Sequence, residues 1–219
     1  MDDWERLLEA APWLLEPGAT VTTGDPEPWT RGGLEGLPKL SALLSTATVT
    51  PVSLAGASYE VLAWGTPDQR RGWLCPPPEA SSAVAVHDTH RRFWSVCGGI
   101  VDRFGEPVSW WLNQDCVLTP SAAQMPVSDV LEDYGWLWED AGLVLPIDPD
   151  DFYVVAVEAN GNLTLAQRRS GALLLFAPDH AFKGVRALPD CPPCSLMTID
   201  EAPDLTSWIE VCAERWLHG

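Results

Sequence analysis

The sequence predicts an α+β fold with a central antiparallel or mixed sheet packed against helices. Three observations lead there. Between Asp148 and Asp179, short apolar runs are split by two turn signals, Asn160-Gly161 and Ser170-Gly171. Asn-Gly tolerates the positive φ of a tight hairpin turn. Near the C-terminus, Leu205, Trp208, Ile209, Cys212 and Trp216 form one apolar stripe at helical spacing. Upstream, Val86, His90, Phe93, Trp94 and Cys97 repeat that spacing, as do Val127, Val130, Leu131, Tyr134, Leu137 and Trp138.

In chain order, residues 2–11 read as a short helix with Trp4, Leu7, Leu8 and Ala11 on one face. Asp2 and Asp3 suit its N-terminus, and Pro12 ends it. Residues 17–39 are a loop rich in Pro and Gly. Ala47 to Leu54 and Tyr59 to Trp64 flank Ala-Gly-Ala as a hairpin. Residues 65–82 contain Pro76-Pro77-Pro78, a stiff extended connector. It divides an unassigned N-terminal region, 1–83, separate or part of the same domain, from an α+β domain at 84–219.

The helix from Val86 to Cys97 stops at Gly98, where a left-handed cap is wanted. Val108 to Leu112 reads as a strand or loop edge. Gly135 inside the 127–138 helix costs about 1 kcal/mol against Ala and marks a break. The meander then has strands near 152–157, 163–168 and 172–176. The first, Phe-Tyr-Val-Val-Ala-Val, is apolar on both faces and therefore central. The second alternates Leu163, Leu165 and Gln167 with Thr164, Ala166 and Arg168, so one face is half polar. The last helix runs from about Pro203 to Leu217.

Composition bounds the function. A chain of 219 residues, 46% of them apolar, buries a core without staples. The 12 Trp are mostly placed within periodic segments, which favours a core role over an aromatic surface. A net charge of −18 argues against nucleic acid and anionic membranes, and suits a basic protein partner reached by electrostatic steering. The acidic start and the absence of a long apolar run predict no leader and no membrane span. The six cysteines are then expected to stay reduced in the cytoplasm.

No motif points to a reaction. Cys191-Pro-Pro-Cys194 is followed by Ser-Leu-Met-Thr-Ile, a strand pattern rather than the helix start that activates a redox thiol. It also lacks a second Cys pair for zinc. His87 and His90 lie three apart, but His90 falls on the apolar stripe, as a packed histidine does. Gly98-Gly99 opens no phosphate loop, and no Ser sits in a nucleophile elbow. Asp148, Asp150 and Asp151 read as a turn before a strand. No cofactor and no metal are expected.

The order of these elements carries a resemblance. A helix ends in Gly98-Gly99-Ile100, then a Trp-rich segment leads to Asp151-Phe152-Tyr153-Val154 and the turn Asn160-Gly161-Asn162. Ser170-Gly171, Leu173-Leu174-Leu175-Phe176-Ala177-Pro178-Asp179-His180 and a C-terminal Trp208 helix follow. This order resembles the SUKH superfamily of bacterial cell-wall-assembly-regulator-like and immunity proteins. There a glycine pair, a G-(N/D)-x-(L/I) hairpin and a tG-x-(V/L)-x-(F/W)-x-x-(D/E)-H strand recur. The likeness covers residues 84–217 and leaves 1–83 outside.

The resemblance implies a non-enzymatic protein that neutralises a toxin, often a nuclease, by binding it. A nuclease carries basic surface for phosphates, and an acidic inhibitor complements it. The expected contact surface combines Trp110, Trp111 and Trp136 with Asp148, Asp150, Asp151 and Glu158, as aromatic anchors in a charged rim. The alternatives are a regulatory or scaffold protein without a toxin, and a thiol enzyme using Cys191 and Cys194.

Overall fold

The computed structural model describes residues 1–79, 82–180 and 182–218. Two antiparallel sheets organise it. The first holds β1 (Val21–Thr23), β2 (Glu27–Pro28), β3 (Thr48–Leu54), β4 (Ala57–Trp64), β5 (Arg71–Cys75) and β6 (Asp102–Phe104). Its order is β1-β3-β4-β5-β6, with β2 also on β3. The second holds β7 (Gln114–Asp115), β8 (Phe152–Glu158), β9 (Leu163–Gln167), β10 (Leu173–Phe176), β11 (Val185–Ala187) and β12 (Leu196–Ile199). Its order is β11-β12-β10-β9-β8-β7. The fold class is α+β as expected, with two sheets in place of one.

Helices cover these sheets. They are α1 (Asp3–Ala10), α2 (Pro38–Ser45), α3 (Asp88–Trp94), α4 (Pro120–Ala123), α5 (Val127–Asp133), α6 (Trp136–Ala141) and α7 (Leu205–His218). The carboxylate of Asp2 caps α1 by accepting from the Glu5 N–H at 2.7 Å, and Glu5 returns the bond to the Asp2 N–H at 2.8 Å. This reciprocal pair satisfies two otherwise orphaned donors. The Asp204 side chain accepts from the Ser207 N–H at 2.9 Å, at the start of α7.

Strand alternation decides which residues meet. One face of the first sheet sets Val52, Val61, Ala63, Leu74 and Phe104 against Trp4 and Leu7 of α1. Its other face sets Val49, Leu62, Trp64, Trp73 and Cys75 into the largest cluster. That cluster also takes α2, α3, the buried stripe of α7, and Tyr153, Val155, Leu173 and Leu175 from the second sheet. The remaining face of the second sheet places Phe152, Val154, Leu165, Leu174 and Phe176 against α4 to α6 through Ala122, Val127, Leu131 and Trp138. The layers therefore run α1, sheet, α2 with α3 and α7, sheet, α4 to α6. β8 is apolar on both faces because it is covered on both.

Several local expectations change. Within the supposed connector 65–82, β5 pairs with β4 on one side and β6 on the other. β6 comes from beyond residue 84, so one sheet uses chain from both sides of that position. Of the two readings for Val108 to Leu112, strand or loop edge, the loop holds, as bends and turns. The α3 cap is Ser95, and Gly98 serves a different need. Its N–H donates to the Pro76 carbonyl at 3.0 Å. A Cβ on Gly98 would lie 2.9 Å from the Pro76 Cβ and collide with the Pro77 carbonyl. Thr164 and Ala166, expected on a half-polar face, are buried under the α3 and α7 layer. The meander turns do form, with positive φ at Gly161 (91°) and Gly171 (71°). The helical pattern over 127–138 breaks at Tyr134-Gly135 as expected.

The tryptophans are the main packing material. Trp4, Trp64, Trp73, Trp94, Trp111, Trp138, Trp208 and Trp216 are buried. Five of them form a chain of edge-to-face contacts. Trp73 touches Trp64 at 4.7 Å, Trp111 at 5.4 Å and Trp216 at 5.7 Å between ring centroids. Trp111 continues to Trp208 at 5.6 Å. Such pairs set positive ring edges on negative faces and add about 0.5–1.5 kcal/mol each beyond area burial. Replacing Trp73 by Ala is expected to cost about 3–5 kcal/mol in urea unfolding. The same change at exposed Trp13 should stay within about 0.5 kcal/mol.

Candidate functional site

The two sequence-level chemical candidates resolve into structure. His90 is fully buried. Its Nε2 donates to the Leu118 carbonyl at 3.0 Å, and its Nδ1 accepts from the Tyr153 hydroxyl at 3.2 Å. The carbonyl acceptor sets this tautomer. Burial pushes the imidazole pKa down to about 4, so it packs as a neutral polar brace between α3 and β8. His87 acts at the α3 N-terminus, where its Nδ1 accepts from the Thr89 N–H at 3.3 Å. Cys191 and Cys194 lie unbridged in the loop between β11 and β12. Burial raises the Cys191 thiol pKa, the opposite of what a redox thiolate needs. Among the described residues, no group of three or more His, Cys, Asp or Glu is arranged to hold a metal ion.

The expected contact residues do not form one surface. Trp111 is fully buried between Trp73 and Trp208, so it belongs to the core and is withdrawn from the surface set. Trp110, next to it, is half-buried and donates its indole N–H to Glu201 at 2.6 Å. Glu158 ends β8 and accepts from the Gln114 and Asn162 amides at 2.9 and 2.8 Å. Asp148, Asp150 and Asp151 are exposed at the start of β8. The seven residues of β8 separate the Glu158 end from the Asp148–Asp151 end by about 20 Å. Trp136 is 53% exposed at the first position of α6.

At the Glu158 end a groove opens where the loops of the second sheet converge. One cavity of 380 Å³ is lined by Trp110, Leu112, Asn113, Glu158, Asn160 and Phe182. A second, of 540 Å³, shares Trp110 and Phe182 and adds Lys183, Asp200, Glu201 and Arg215. Charges of both signs line it, and Glu201 is already held by Arg215 at 2.6 Å. The groove is aromatic but has no net preference for a cation or an anion.

The acidic surface is segregated. Between Arg103 and Arg168 the chain has no Lys, Arg or His and eleven Asp or Glu. Asp129, Glu132, Asp133, Glu139 and Asp140 are all exposed on the α5–α6 segment. Among the described residues, none of the eight carboxylates from Asp129 to Asp151 joins an ion pair. The Asp148–Asp151 end differs in one respect. Arg168 reaches it, donating from Nε to the Asp150 carbonyl at 3.1 Å. Sequence reasoning chose this trio and passed over the α5–α6 carboxylates. The signal available was the run of 64 residues without a cation.

Comparison with protein-family models, with curated proteins and with solved structures finds no match.

The buried imidazole makes stability pH-dependent. In the unfolded chain His90 takes a proton near its ordinary 6.5, while the folded state refuses it until about pH 4. Stability is therefore full above 6.5 and falls as the pH drops through that window. Urea unfolding at pH 7 and pH 5 should differ by about 2 kcal/mol on this account. The His90→Gln variant should show a shallower slope.

Proposed function

We propose that this chain is a non-enzymatic, cytoplasmic protein-binding module that captures a basic protein, and that it serves as an immunity protein against a nuclease-like toxin. The observation that carries the reading is the segregation of charge. Eleven carboxylates and no cation lie between Arg103 and Arg168. Charge placed for solubility alone is mixed in sign, with Lys and Glu interspersed. A one-signed surface repels itself and is repaid when an oppositely charged partner covers it. The glycine-pair, hairpin and Asp179-His180 patterns that resemble the SUKH superfamily support the same class. A toxin acting on nucleic acid supplies the basic surface. Binding would block its phosphate site without any catalytic group on the inhibitor.

A regulatory or scaffold role without a toxin is the second reading. It is favoured by the Trp110–Phe182 groove, whose mixed charge would suit a different partner.

The test is affinity capture of source-cell proteins on the immobilised chain, with elution by rising salt. Raising salt from about 0.01 to about 1 M shortens the Debye length from about 30 to about 3 Å. Basic proteins should be retained at the low end and released at the high end. Association should slow on the order of 100-fold across that range. A released protein with nuclease activity that the chain suppresses establishes the immunity role. Retention of neutral or acidic proteins only, indifferent to salt, rejects it.

A further inference from the structure

Among the described residues, the α5–α6 segment is the one place where an exposed aromatic and carboxylates outside any ion pair share a helical face. The segment is close to continuous. The Gly135 N–H donates to the Glu132 carbonyl at 3.0 Å, and the Trp138 N–H to the Gly135 carbonyl at 3.1 Å. Val127, Leu131 and Trp138, with half-buried Val130, Tyr134 and Leu137, face the second sheet. The opposite stripe is Asp129, Glu132, Asp133, Trp136, Glu139 and Asp140, spaced by one, three and four residues. Every one of these is exposed.

Two features of this stripe work against the fold. The last turns of α5 and α6 contain no basic residue, yet they carry Glu132, Asp133 and Asp140, while Asp129 and Glu139 belong to the first turns. Negative charge at a helix C-terminus opposes the helix dipole. Asp129 also repels Glu132 and Asp133, its neighbours one turn along. In the middle of these charges sits Trp136, 53% exposed, at a position where a polar residue would serve the helix as well. Local stability has been given up over one face, and what would restore it is a set of cations around an apolar contact.

We propose that this face is the docking surface for the basic partner. Trp136 is its anchor and Asp129, Glu132, Asp133, Glu139 and Asp140 form its rim. The inference rests on the basic-partner reading above and adds the partner's chemistry, an apolar socket bordered by Lys or Arg side chains. Charge complementarity selects this face over the two rivals. The Trp110–Phe182 groove contains Lys183 and Arg215. The Asp148–Asp151 turn is approached by Arg168. The α5–α6 stripe has no cation of its own.

Two labelled twelve-residue peptides of equal positive charge serve as probes. Both alternate Lys and Ser, and one carries two central leucines where the other carries serines. Fluorescence anisotropy with the full chain at low salt measures each affinity. The leucine peptide should bind about tenfold more tightly, because it buries apolar surface against the indole. Trp136→Ala should abolish that preference and leave the serine peptide unaffected. Trp13→Ala, at the other exposed tryptophan, should preserve it. Neutralising Glu132, Asp133, Glu139 and Asp140 to their amides should weaken both peptides about tenfold or more. Neutralising Glu9, Glu16, Asp25 and Glu27, exposed elsewhere, should weaken them less.

A preference that survives Trp136→Ala, equal binding of both peptides, or equal effects of the two neutralised sets overturns this surface while leaving the basic-partner reading intact. Failure of wild-type chain to bind either peptide overturns both. Circular dichroism and urea midpoints of the variants separate loss of binding from loss of folding.

Discussion

The edge-to-face tryptophan chain is the constraint on which the architecture depends. Trp64 and Trp73 belong to adjacent strands of the first sheet, Trp208 and Trp216 to the C-terminal helix, and Trp111 to the turn before β7. This contact chain joins the first sheet to α7 within the layer that α2, α3 and α7 fill between the two sheets. The indole nitrogens of Trp73, Trp111, Trp208 and Trp216 have no hydrogen-bond partner among the described residues. Each such orphan costs about 1–3 kcal/mol. The packing area of the rings offsets that cost, so here shape dominates over polar satisfaction.

This arrangement determines where loops are free to face outward. Trp111 is held in the core, and its neighbour Trp110 is consequently set at the mouth of a groove. A pair of adjacent identical residues thus has two fates, one fully buried in the core and one half-buried at the groove. On the far side of the second sheet the cover is thin, made of the short helices α4 to α6. These helices bury one stripe each and offer the other to solvent. The acidic residues of α5 and α6 and Trp136 occupy that offered stripe, on a layer that packing leaves half open.

The polar interior follows a different logic. His90, Tyr153, Trp94 and the Leu118 carbonyl form one satisfied group, with the Trp94 indole N–H donating to that carbonyl at 2.6 Å. Burial raises the Tyr153 hydroxyl pKa and lowers that of His90, so both stay neutral at ordinary pH. The first sheet instead uses ions at its margins. Arg70 pairs with Asp3 at 2.7 Å, and Arg31 with Glu60 at 2.5 Å. These tie the N-terminal helix and the Gly-rich loop to the sheet.

Local pattern by itself determined the α+β class, the β8–β10 meander, the β3–β4 hairpin, the break at Gly135 and the apolar stripe of α7. Each rests on interactions within a few residues, which periodicity and turn chemistry report directly. The two-sheet arrangement, the β5–β6 pairing across the Pro76-Pro77-Pro78 segment and the burial of Trp111 were decided only by tertiary structure. β5 runs directly into the Pro76-Pro77-Pro78 segment, and its partner β6 lies well beyond it along the chain. The division of the acidic residues was decided in the same way. Sequence shows how many carboxylates there are and how they are spaced. Only the packing of α5 and α6 on the second sheet shows which of them share one face with Trp136, because that depends on which stripe the sheet has already claimed.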